Sequence, residues 1–214
     1  MKVAELTIER LVQYRRLLET LKEEGYRVVS SQQIGDLLGI KASQVRKDLS
    51  YFGEIGKRGV GYHVGRLRDH IAEILASPKI WRIALAGVGN MGTALLSNPA
   101  FHTKKIRFEA LFDADQRKIG RDISGIHCWN YTDIPSVMAY RGIEILILAV
   151  PAKAAQSCVD LAISSGVLRG VLALTQGPLV VPDEIFVVRV DIMAELEKLL
   201  FFLKQPISTG SVVP

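Results

Sequence analysis

Cysteine is scarce in this 214-residue chain: Cys128 and Cys158 lie 30 positions apart with no C-x-x-C pair. That leaves no zinc framework and no metal site, fits a reducing compartment, and reads both thiols as core or near-core residues. No stretch approaches the roughly 20 uninterrupted apolar residues of a membrane span, and Met1 to Glu5 lacks the apolar block of a signal peptide. The expectation is therefore a soluble, cytoplasmic protein with no membrane partner. Catalytic chemistry is sparse too. The four histidines (63, 70, 102 and 127) do not cluster, and no Tyr-x-x-x-Lys occurs.

What is present is a 49% hydrophobic composition, enough for a proper core, organised around Trp81 to Asp113. Ile83-Ala84-Leu85-Ala86 is a short apolar run of the kind buried on both faces of a parallel sheet, and Met91 to Leu96 is helical in character. Between them stands Gly87-Val88-Gly89-Asn90-Met91-Gly92. Strand, glycine turn and helix in that order form a phosphate cradle: Gly87 for the tight turn, Gly89 for close approach of a pyrophosphate, Gly92 for helix-strand packing. Asp113 closes the next strand 21 positions after Gly92, where a carboxylate accepts from a ribose and repels a 2′-phosphate. This favours NAD over NADP. An ordinary tight turn followed by a helix-capping aspartate is the alternative.

The net charge of +5 is local, because Lys41 to Arg68 holds seven Lys or Arg against Asp48 and Glu54, while the other 20 basic and 20 acidic residues balance. A basic patch on a balanced protein is the footprint of a polyanion. Ile8, Leu11, Tyr14, Leu18 and Leu21 predict a first helix from about 6 to 24, ended by Gly25. Ser30-Ser31, answered by Gln33 or Gln32, predicts the start of a short second helix that Gly39 breaks. Val45, Leu49 and Phe52 then form an inward stripe, opposite Ser43, Gln44, Arg46, Lys47, Ser50 and Tyr51. This makes a helix-turn-helix whose second helix would read double-stranded DNA. Residues 53–62 read as a hairpin wing, with Lys57, Arg58 and Gly59 at its tip aimed at a minor groove. A further helix through Leu67, Ile71, Ile74 and Leu75 runs to Ser77-Pro78, the expected domain boundary.

Beyond Asp113, Ile143 to Val150, Val167 to Leu174 and Ile185 to Val190 are strand candidates, with Ala152 to Ser165 as a crossover helix. The fold class is α/β, a doubly wound parallel sheet of Rossmann type behind a smaller winged-helix domain. Loops at strand carboxyl ends contact a dinucleotide near the topological switch point, which adds Val150, Pro151 and Thr175 to the cofactor set. The last helix, Asp191 to Lys204, has Ile192, Leu196, Leu199 and Leu203 on one stripe with Met193, Leu200, Phe201 and Phe202 beyond it. That surface needs cover, from a second copy or from this chain's own core. The expected divisions are 1–78, 79–190, a C-terminal helix 191–205 and a mobile tail 206–214.

Three stretches carry a wider resemblance: Gln44-Val45-Arg46-Lys47-Asp48-Leu49-Ser50-Tyr51-Phe52-Gly53, Gly56-Lys57-Arg58-Gly59-Val60-Gly61-Tyr62, and the glycine loop with Phe112-Asp113. With Lys118-Ile119-Gly120, Ala149-Val150-Pro151 and Val190-Asp191, they make nearly the whole chain similar to the Rex family of bacterial redox-sensing transcriptional repressors. The resemblance implies a homodimer on a palindromic operator, NAD(H) as cofactor, release of DNA by NADH, and a domain-swapped C-terminal helix. It also implies that Arg16 and Asp191 couple sensor to head, and that Ile192, Leu196 and Leu199 serve dimerisation. Two departures stand out: Asn98 where members often carry tyrosine, and Thr175-Gln176-Gly177-Pro178 where they usually read Asn-Phe-Ala-Pro. The competing function is a small NAD-dependent dehydrogenase. It is disfavoured because a Rossmann domain of roughly 130 residues leaves no second domain to form a substrate pocket.

Overall fold

A computed structural model describes residues 4–53, 56, 59–101 and 103–204. The expected wing tip at Lys57 and Arg58, and the tail from 206, lie outside the described residues. The chain forms two compact units that divide between Ser77 and Pro78.

In the first unit, α1 (Glu5–Glu23) buries Leu11, Tyr14, Leu18 and Leu21 at helical spacing, while Ile8 stays at the surface. A two-residue strand, β1 (Val28–Val29), precedes α2 (Ser31–Leu38). Ser30 caps α2 by a reciprocal pair: its hydroxyl accepts from the Gln33 N–H at 3.1 Å, and the Gln33 amide oxygen accepts from the Ser30 N–H at 2.8 Å. The turn after α2 folds back so closely that a Cβ on Gly35 would strike the Ile40 carbonyl, which fixes the angle at which α3 (Ala42–Ser50) leaves. Val45 and Leu49 are buried beneath α3, and Phe52, just past its end, packs half-buried on the same core. Strand β2 (Tyr62–His63) leads directly into α4 (Val64–Ile74). Strand β2 lies antiparallel to β1, Val28 opposite His63, while Glu54, Ile55, Lys57 and Arg58 of the expected hairpin at 53–62 lie outside the described residues. Two-residue strands held by backbone pairing leave no periodicity in the sequence, so β1 went unseen.

The second unit runs β3 (Trp81–Ala86), α5 (Asn90–Ser97), β4 (Ile106–Asp113), β5 (Asp122–Ile123), β6 (Ile126–Asn130), α6 (Ile134–Arg141), β7 (Ile145–Leu148), α7 (Ala152–Ser164), β8 (Gly170–Ala173), β9 (Phe186–Arg189) and α8 (Ile192–Leu203). The strands form one sheet in the order β5-β6-β4-β3-β7-β8-β9, parallel throughout except for β5 against β6. From β3 the chain builds outward through β4 and β6, then returns to place β7 on the other side of β3, so the order reverses between β3 and β7. Alternation along β3 feeds two cores: Ala84 and Ala86 face one layer with Phe112 and Leu148, and Ile83 and Leu85 face the other with Leu96 and Leu111. The small alanines let α6 and α7 pack near the strand. Cys128 and Cys158 are free thiols, both buried.

Helix α8 departs from this economy. Every residue from Ile192 to Leu203 is exposed, its large apolar residues by 43 to 69%. Cover from the chain's own core, one of the two alternatives in the sequence, is therefore ruled out among the described residues. Edge strand β9 adds Phe186 and Val188, also exposed. Among the described residues no helix is long and apolar enough to cross a membrane.

Candidate functional site

The glycine turn joins β3 to α5 at the point of strand-order reversal, where an open α/β sheet has its ligand crevice. Gly87 has φ +92°, a left-handed conformation, and a Cβ there would fall under 3.0 Å from the Ala149 carbonyl. A Cβ on Gly92 would meet the Gly87 carbonyl just as tightly. Gly89 differs: nothing lies within 4 Å of its virtual Cβ. Two glycines thus close the turn, and the middle one keeps space open in front of it. Gly89 is also the N-cap of α5 and supplies no side-chain acceptor, so the first-turn N–H groups and the positive end of the helix dipole are left for an anion. Val88 is buried under the turn, while Asn90 and Met91 are exposed at its rim. A pyrophosphate fits this cradle.

Asp113 ends β4 beside it. Its Oδ2 accepts from the Val88 N–H and from Lys118 Nζ, both at 2.9 Å, and its Oδ1 accepts from the Asp115 N–H at 2.9 Å. Burial pushes the carboxyl up, but Lys118 and the two backbone donors outweigh it and hold the group below the usual carboxylate range. An ionised carboxylate therefore stands ready for ribose hydroxyls and also ties the glycine turn to β4. Lys118, noted in the sequence only as a family match, is its counter-ion.

A cavity of about 260 Å³ continues from the cradle, lined by Met91, Val150, Thr175, Gln176, Asp191 and Ile192 among others. It unites three residues of the expected cofactor set with two expected for coupling and dimerisation. Thr175 is buried, and Pro151 is exposed as the N-cap of α7. Asp191 caps α8, its Oδ1 accepting from the Ala194 N–H at 3.0 Å. Leu196 and Leu199 lie farther along α8 and do not line the cavity. Gly177, one residue past the cavity wall, has φ +95°, a conformation in which the alanine of the usual motif would be strained.

On the first unit, Ser43, Arg46, Lys47, Ser50 and Tyr51 are all exposed along α3, as their spacing requires. Gly59, the described residue of the expected tip, is exposed with nothing near its virtual Cβ. Arg16 is exposed on α1. Arg46 Nη1 donates to Ser31 Oγ at 3.0 Å, and the Ser50 hydroxyl donates to the Lys47 carbonyl. Gln44 behaves differently, half-buried at the margin of the face with its Nε2 donating to Asp48 Oδ1 at 2.8 Å.

Asp48 is the residue the sequence reading passed over. It is 3% exposed and accepts four bonds: Arg10 Nε at 2.6 Å and Tyr14 Oη at 2.8 Å on Oδ2, Arg10 Nη2 at 2.8 Å and Gln44 Nε2 on Oδ1. Burial opposes its charge, but Arg10, Gln44 and Tyr14 together hold the carboxyl below its ordinary value. Burial and then Asp48 raise the Tyr14 phenol. A signal existed, because Asp48 falls three residues after Val45 and one before Leu49, on the apolar stripe, and a charge there demands a partner.

Comparison with known proteins finds matches for each of the two units. A family described as "Putative DNA-binding protein N-terminus" matches residues 2–50, and one described as "CoA binding domain" matches residues 78–177. The chain is 39% identical over 199 residues to the redox-sensing transcriptional repressor Rex of Chloroflexus aurantiacus, covering 93% of each. Crystal structures of RSP, a Rex-family repressor, superpose with a TM-score of 0.86 for its complex with β-NAD+ and operator DNA, at 28% identity over 95% of this chain and 93% of that one. The TM-score is 0.85 for its complex with β-NADH, at 27% identity over 95% of each chain. The exposed basic helix, the open glycine cradle and near-full-length identity together place this chain in the Rex family of redox-sensing transcriptional repressors.

Proposed function

We propose that the protein is a homodimeric repressor that holds a palindromic operator through α3 and the residues after it, and lets go when NADH occupies the cradle. The reading takes NAD(H), double-stranded DNA and a second copy as its partners. It places the protein in the cytoplasm.

The observation that carries it is the cavity in which Met91, Val150 and Thr175 meet Asp191 and Ile192. A dinucleotide seated with its pyrophosphate on Gly87 to Gly92 and its ribose on Asp113 directs its far end toward that cavity. The cofactor supplies a ring whose charge changes between its two oxidation states. This chain's residues bind it, exclude water around it, and stand at the root of a helix that has no cover of its own. Occupancy that favours one setting of α8 shifts the dimer between two states, and a coupling of about 1–3 kcal/mol suffices for a regulator. Arg16 and Asp191 are the proposed ends of that coupling.

On α3, Ser43, Arg46, Lys47, Ser50 and Tyr51 supply phosphate and base contacts, extended by Lys57, Arg58 and Gly59. A dehydrogenase reading has no comparable support, since the relatives are named as repressors. The test is a gel shift of the full chain on a palindromic duplex it selects from a randomised pool, with NAD+ and NADH added separately. Release by NADH and retention with NAD+ are expected. Binding indifferent to both cofactors, or steady NADH consumption with carbonyl substrates, would overturn the proposal.

A further inference from the structure

The four bonds on Asp48 have a consequence for how α3 reads DNA, one that rests on the repressor reading above. A carboxylate offers about four lone-pair sites, and here each oxygen already takes two donors. An ionised carboxylate accepts only, so the Gln44 amide must face it with nitrogen, never with oxygen. The bidentate grip of Arg10, anchored in α1, keeps Asp48 in place and in its charged form. The amide of Gln44 therefore cannot turn over. Its Oε1 accepts nothing among the described residues, and Gln44 is the third residue of α3. The opening residues of a recognition helix are the ones that meet base edges.

A glutamine free to rotate its amide serves donor and acceptor bases alike, because it turns whichever end is wanted. Gln44 has lost that choice. We propose that Asp48 makes Gln44 a reader of fixed polarity, which presents its carbonyl oxygen to the major groove and selects the base pair whose exocyclic amine, on adenine N6 or cytosine N4, points at it. Arg46, at the opposite margin of the face and held by Ser31, offers only donors. The two edges of the helix thus carry opposite hydrogen-bonding sense, and Asp48 and Arg10 act as positioning residues that never touch DNA.

The experiment uses the full chain and its selected duplex. The position read by Gln44 is the one at which Gln44→Ala, which removes a half-buried side chain at the margin of the face, levels the preference among the four base pairs. At that position two altered duplexes are made. One deletes the amine, as 2-aminopurine opposite thymine does for adenine, and the other replaces it by a carbonyl oxygen, as inosine opposite cytosine does. Wild type is expected to lose about fivefold in affinity on deletion, the size of one hydrogen bond, and at least as much on replacement, while Gln44→Ala ignores both. If the carbonyl duplex binds as well as the original, the amide turns over and the fixed polarity is overturned. Identical profiles for wild type and Gln44→Ala would show that Gln44 reads no base. Failure of wild type to prefer any duplex would instead overturn the repressor reading, and this inference with it.

Discussion

The two units treat apolar surface in opposite ways. In the first, every helix finds cover at home: α1, α2, α3 and α4 all send residues into one core around Leu11, Tyr14, Ile34, Leu49 and Leu67. In the second, the sheet is covered on both faces, yet α8 and the outer residues of β9 stand in solvent. The first unit covers its helices with its own core, whereas the second leaves a helix without cover among the described residues, and that helix begins at the cavity wall. Asp48, buried, and Asp113, half-buried, follow the same division. Asp48 is held by side chains reaching across from α1, so it fixes one element against another, whereas Asp113 is held largely by nearby backbone and shapes a loop.

Deleting α8 breaks the comparison hardest. A chain ending at Val190 should sediment as monomer or aggregate and still show the first unit's thermal transition. A truncated chain that dimerises with full-length affinity would mean another surface joins the copies. Next in size is Arg10→Met, which strands a buried carboxylate and should lower the stability of the first unit by about 3–5 kcal/mol, against about 1 kcal/mol for Tyr14→Phe. Urea unfolding followed in the two units separately would register this as a loss confined to the first. The same pair sets a pH dependence. Asp48 is held below its unfolded value of 3.8, so its contribution is full above that pH and disappears as pH falls through the lower folded value. Acidification below about pH 4 should lower the first unit's melting temperature, and Arg10→Met should flatten that slope.

Glycines sharpen the comparison within the second unit. Gly92→Ala drives a methyl into the Gly87 carbonyl and should destabilise the unit by about 1–3 kcal/mol. Gly89→Ala meets nothing and should melt like wild type, yet bind NADH about tenfold more weakly by calorimetry, because it occupies space meant for the pyrophosphate. Equal melting of the two variants would remove the distinction drawn between them. The smallest effect belongs to the loop after β8. With Gln176 and a positive-φ Gly177 in place of an aromatic and an alanine, operator release should separate NADH from NAD+ only a few-fold, and Gln176→Phe should widen the gap. Strong NADH-selective release in wild type, unchanged by Gln176→Phe, would show that the loop does not set the response.

Much of this was legible because it obeyed simple periods. Leu11, Tyr14, Leu18 and Leu21 marked α1, Ser30 with Gln33 marked the start of α2, and the glycine spacing with Asp113 marked the cradle. Between 114 and 142 the sequence was silent, and the structure shows why. Strand β6 carries His127 and Asn130 among its apolar residues, and α6 buries Ile134, Val137 and Met138 while leaving Tyr140 almost wholly in solvent, so neither period is clean. The network around Asp48 was hidden for another reason. Its partners lie 34 and 38 positions away in α1, and no local pattern encodes so distant a pairing.

The cysteines described with the fold bear on how oxidation state reaches such a molecule. Cys128 and Cys158 are 0% and 4% exposed, and burial raises both thiols above their ordinary value. At neutral pH they are protonated and shielded, whereas attack on a peroxide or a disulfide requires an accessible thiolate. Neither thiol is therefore placed to take up an oxidant, and under the repressor reading proposed above the redox signal arrives as a reversible change in ligand occupancy. A signal of the proposed kind needs no reductase to erase it, and would follow the cofactor pool as fast as the bound nucleotide dissociates.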